Sequence, residues 1–191
     1  MPSPAPSRLS FGNTLRRFRR NRHGSAAVEF ALVAPVFFGL LFAIIETAIV
    51  FFAGQVLETV TQNSARMILT GQAQTGSFTA EQFKTYVCGQ IPALFDCDKI
   101  YVDVQSYGTS FSSVVINSHI DAAGNFDTNM QYNPGNAGDI VVVRVFYQWP
   151  LFVTGLGYDI TNLAGSKRLL AATAAFKNEP FGAPPSPPPT P

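Results

Sequence analysis

At 191 residues the chain accommodates one modest domain with appendages rather than two independent cores. Its net charge of +1 conceals an asymmetry: Arg8, Arg16, Arg17, Arg19, Arg20 and Arg22 precede Ser25 without a single acid, and from Ser25 onward seven basic residues face all twelve acids, a balance of −5. The basic cluster stands immediately before an apolar run, so it reads as a topology signal; a nucleic-acid surface would instead interleave such charge with aromatics on a folded face.

From Ala26 to Ala53 every residue is apolar or small except Glu29, Glu46 and Thr47. A helix needs about 20 apolar residues to cross a hydrocarbon core about 30 Å thick, so this run suffices. It is too long for the apolar core of a cleaved secretory signal, and no small-x-small site follows Ala53. The absence of a polar stripe excludes an amphipathic soluble helix. The lipid bilayer is thus the first expected partner, and Arg16, Arg17, Arg19, Arg20 and Arg22 keep the N-terminus in the cytoplasm. Residues C-terminal to the span are then outside it.

The helical pattern continues beyond the apolar run. Val56, Leu57, Val60, Ser64, Met67 and Ile68 recur at three- and four-residue spacings among Glu58, Thr59, Gln62, Asn63 and Arg66, and Gly71 supplies a stop. A continuous helix from about Ala27 to Thr70 is about 65 Å long. Its second half has one apolar stripe, which is expected to lie against the exported domain.

That domain reads as α+β. Thr79 and Gln82 form a capping box at the start of a short helix, Thr79 to Val87. Ile100, Val102 and Val104 alternate with Tyr101, Asp103 and Gln105 as in a half-buried strand over Ile100 to Tyr107. Phe111 to Ile116 is a candidate strand, and Asp139 to Trp149 is the strongest one, preceded by the turn-forming run Asn133 to Gly138. Cys88 and Cys97, across a short loop in an oxidising compartment, read as a disulfide, with two buried thiols as the alternative. The end, Glu179 to Pro191, is a proline-rich tail. The resulting organisation is a leader over 1–24, a transmembrane and extended helix over 25–71, an exported domain over 72–178 and the tail over 179–191.

No catalytic constellation emerges. His23 lies in the leader and His119 in a loop, and neither has a nucleophile or acid at a recognisable spacing. Asn125, Asp127 and Asn129 alternate like part of a calcium loop but lack its glycine and terminal glutamate. Arg144, inside the apolar strand, is expected to face solvent or a structural carboxylate. The reading is therefore non-enzymatic, with no cofactor and no metal. Glu46, about 31 Å along the helix from Ser25, is expected simply to reach the outer interface. Pro35 removes a helical hydrogen bond and marks a place for a bend.

The junction Arg20-Asn-Arg-His-Gly24-Ser25-Ala-Ala-Val-Glu29-Phe30 resembles the type IV pilin superfamily, in which a membrane peptidase cuts after a glycine and the fifth mature residue is a glutamate. The stretches Ala26 to Pro35, Ala65 to Ala73 and Val143 to Leu151, the cysteine pair and Ala174 to Phe181 resemble more specifically the TadE-like pseudopilins of tight-adherence (Flp) pilus systems. The resemblance implies a minor pilin-like subunit cut between Gly24 and Ser25 by a prepilin peptidase, with Glu29 as an assembly charge. Its other implied partners are pilins, pseudopilins and the pilus assembly machinery. It implies a single-pass protein of the bacterial inner membrane with a periplasmic C-terminal domain, and leaves a place in the extracellular pilus open. It also favours a final strand for Leu169 to Lys177, whose composition alone suits a helix. The alternatives are a signal-anchored periplasmic binding domain outside any fibre and, for Glu29, a side chain that merely reaches the headgroups.

Overall fold

The computed structural model describes residues 24–91, 93–153 and 158–182; the arginine leader, Pro92 and the end of the proline tail lie outside them. The chain is α+β. A long helix, α1 (Ser25–Leu69), is followed by the short helices α2 (Gln72–Thr75) and α3 (Ala80–Gly89). Three strands, β1 (Ile100–Ser106), β2 (Ile140–Pro150) and β3 (Lys167–Lys177), form an antiparallel sheet in the order β1-β2-β3. Backbone contacts divide the chain between Ile44 and Ile45 into two compact units.

In the first unit, α1 is apolar on every side. Phe30, Leu32, Val33 and Leu40 are all exposed, and Phe38 stacks on Phe42 and meets Phe37 edge-on. α1 continues through Pro35 and is, among the described residues, the one helix long and apolar enough to cross a membrane.

In the second unit the same helix becomes one-sided. Val50, Ala53, Leu57, Val60, Ala65 and Ile68 are buried at three-, four- and five-residue intervals in the main core. The stripe also takes in Thr61 and Ser64, both fully buried. Thr61 returns its hydroxyl to the Leu57 carbonyl, and Ser64 accepts from Gln90 Nε2. Gly71 ends the helix with φ 77°, a conformation suited to glycine, and the Phe181 ring fills the space a Cβ would need. The Glu179 N–H donates to the Leu69 carbonyl, so the segment after β3 satisfies one open carbonyl of α1. Thr79 caps α3 through the reciprocal bonds with Gln82 that the sequence predicts.

The sheet is buried on both faces for different reasons. One face carries Ile100, Val104, Val141, Val143, Val145, Tyr147, Leu170, Ala172 and Ala174 into the core shared with α1 and α3. The opposite face holds Asp103 and Arg144, which are register partners. Asp103 is expected from its alternation to face solvent, yet it is fully buried. The cause is the connection 107–139, which folds back over this face. Arg144 Nε and Nη2 donate to Asp103 Oδ2 at 3.1 and 2.8 Å, Arg144 Nη1 to the Asn117 carbonyl, and the Gln131 N–H to Asp103 Oδ1. One ion pair thus anchors two points of a long connection. His119, Phe126, Phe146 and Tyr101 make an aromatic cluster beside it.

Phe111 to Ile116 is not a strand. Phe111–Ser113 form a single 3-10 turn, in which Ser113 Oγ donates to the carbonyls of Tyr107 and Ser110. Tyr132, from the same connection, makes a parallel bridge to Val104 and covers part of the free edge of β1. Its ring packs on Phe83, and burial pushes its phenol up to about 12. Asn178 knits the turn before β2 to the end of β3, donating to the carbonyls of Pro134 and Asn136.

Cys88 and Cys97 are joined by a disulfide with Cα atoms 5.7 Å apart, linking the end of α3 to the start of β1. Without reductant the folded protein should resist thiol labelling, and reduction should cost about 2–3 kcal/mol in denaturant unfolding. Asp103→Asn should cost about 3–5 kcal/mol by leaving the Arg144 charge buried without its partner. A paired Asp103→Leu, Arg144→Met replacement should recover much of that loss in the same titration.

Candidate functional site

The junction singled out in the sequence is at the start of the described chain. Gly24 is exposed, and a Cβ placed on it would meet nothing within 4 Å. Neither crowding nor a positive φ demands glycine at this position, in contrast to Gly71. Ser25 opens α1, and no acid stands in the first turn to offset the partial positive charge of its free N–H groups. Glu29 follows about 6 Å along the axis. Its side chain is exposed on the helix surface, so a second molecule has access to it. The backbone thus places Gly24, Ser25 and Glu29 within a little over one turn. The five arginines assigned to topology lie outside the described residues.

The second carboxylate of the apolar run behaves differently. Glu46 is only 8% exposed, and its two oxygens accept from consecutive backbone N–H groups: Oε1 from Phe152 at 2.6 Å and Oε2 from Val153 at 3.1 Å. The neighbouring Thr47 hydroxyl is hydrogen-bonded to the Tyr158 hydroxyl. To the expected place near the outer interface the structure adds partners within the chain, which the sequence reading did not supply. Glu46 is bound to the β2–β3 connection by charge-assisted hydrogen bonds. An acid inside an apolar run was the signal in the sequence, but its partners are more than a hundred residues away.

The remaining candidate groups have structural partners. Asp121 accepts from the backbone N–H groups of Ala123 and Asn125 and from Asn125 Nδ2, and the bonds from Asn125 hold its carboxyl below the usual range. Asp127 accepts from the Asn129 N–H. Both act as turn formers, and among the described residues no three His, Cys, Asp or Glu side chains converge to hold a metal. Arg144 meets a structural carboxylate, Asp103, and His119 packs its ring against Phe126 and Phe146.

Residues 24–66 match the family model described as TadE-like protein. No curated protein and no solved structure matches the chain. The matched stretch starts at the candidate cleavage glycine and ends three residues short of the last residue of α1. Over that stretch, from the junction through the apolar run and into the buried stripe, the chain is similar to TadE-like proteins, the family that its sequence resembles.

Proposed function

We propose that the chain is a minor, pilin-like subunit for assembly of a tight-adherence (Flp) type IV pilus, cut by a prepilin peptidase between Gly24 and Ser25. The observation that carries this reading is the TadE-like match that begins at Gly24, a glycine the fold itself does not require. In this reading α1 crosses the bacterial inner membrane with the arginines on the cytoplasmic side and the sheet domain outside. The role is structural rather than catalytic, and the partners are the peptidase, other pilins and the assembly machinery.

The mechanism follows from what the cut changes. Before it, a strongly basic leader opposes any movement of α1 across the bilayer. After it, the leader is gone and Ser25 carries an amine about one helical turn from Glu29. The Glu29 carboxylate, exposed on the helix, is then available to the amine of a neighbouring subunit. A pair of this kind is stronger in the low dielectric between packed helices than in water.

The mature protein should begin at Ser25, which N-terminal sequencing or intact mass establishes, and Gly24→Leu should leave the precursor uncut. Retention of Arg22 in the mature protein would contradict the assignment. Glu29→Gln preserves the shape of the helix and should be cut normally. It leaves the new amine without its partner wherever helices pack, at a cost of a few kcal/mol. Correctly cut protein in the membrane, with loss of co-purifying pilins and of surface pili, is the expected result. Normal pili containing the mutant subunit would show that Glu29 only reaches the headgroups.

A further inference from the structure

We propose that the start of the β2–β3 connection is a second membrane contact: Phe152 and Val153 enter the outer boundary of the bilayer that α1 crosses, and Glu46 holds them there. The inference rests on the membrane-spanning part of the proposed function and not on the pilus.

The position of the latch is the first argument. Glu46 lies seven residues before Ala53, the last residue of the apolar run, and therefore about 10 Å on the membrane side of its end. Phe152 and Val153 are bonded to Glu46, so they sit at that depth alongside the helix. The second argument is composition. Phe152 is 85% exposed, the highest value among the exposed large apolar side chains, and Phe51 and Phe52 on α1 are 71% and 62% exposed. Large aromatics left open beside an apolar helix are costly against water and favourable against lipid.

The third argument is the chemistry of Glu46. A loop entering hydrocarbon exposes peptide N–H groups that lipid cannot satisfy, and a carboxylate in an apolar run is costly for the same reason. Here each solves the other's problem, because the two carboxylate oxygens take the two N–H groups. Thr47 and Tyr158 do likewise for two hydroxyls. The contact gives the sheet domain a second point of attachment and thereby sets its height and rotation on the bilayer.

Trp149 is the single tryptophan, so the full chain carrying Trp149→Phe provides a silent background. Phe152→Trp in that background, reconstituted into phosphatidylcholine–phosphatidylglycerol vesicles, should lose most of its emission to lipids brominated in the upper acyl chain and little to aqueous iodide. Quenching by iodide alone would overturn the proposal. So would quenching by neither agent, which would place residue 152 under a second copy of the chain. Glu46→Leu should exchange lipid quenching of the residue-152 tryptophan for iodide quenching. Persistence of lipid quenching in that variant would overturn the latch. Leu40→Trp, in the same background, reports α1 itself: if it escapes deep-chain bromines, the membrane span has failed as well, whereas its quenching isolates the failure to the loop.

Discussion

The described chain is organised around one helix that carries two different surfaces along its length. A single α1 of 45 residues is apolar on all sides in its first unit and apolar on one stripe in its second. An all-round apolar helix is stable where nothing competes for its backbone hydrogen bonds, as in lipid. A striped helix is stable only against a partner surface, because its own propensity adds little once it emerges into water. The sheet face built on Val141, Val143, Val145 and Tyr147 belongs to the core that buries that stripe.

The rest of the second unit resolves the needs this arrangement creates. A three-stranded sheet with one face on a helix leaves its other face open, and Phe146 and Val142 are too apolar to be left there. The connection 107–139 covers them, and Asp103 with Arg144 fixes the cover. A buried pair of this kind contributes little net stability, since desolvation offsets attraction, but its directional bonds specify where the loop lies. The disulfide and the Asn178 bonds tie the remaining ends close to the sheet. At the junction, by contrast, Gly24 is open and Glu29 is exposed.

The two glutamates of the apolar run show how one residue type takes two roles. Glu29 is exposed near the start of α1, while Glu46 is buried and bonded near its middle. Each offsets the cost of a carboxylate in apolar surroundings, Glu46 through partners in its own chain and Glu29, in the proposed function, through a partner in another. On this difference rest the two proposals, of Glu29 for assembly and of Glu46 for posture.

Elements whose physics is local are legible along the chain. Hydropathy and the arginine cluster define the apolar helix, the three- and four-residue spacing carries it on to Leu69, and Thr79 with Gln82 marks α3. β1 and β2 were legible from β-branched, apolar runs, and Gly71 from the left-handed stop it permits. β3, rich in alanine, needed the family resemblance, because its strand state depends on pairing with β2 rather than on its own propensity. The burial of Asp103, the irregular path of residues 111–116 and the latch at Glu46 emerge from long-range packing. Each depends on groups far apart in the chain: Asp103 on Arg144 and Gln131, Glu46 on Phe152 and Val153. Periodicity reports which face a residue occupies, but not what the rest of the chain later lays over that face.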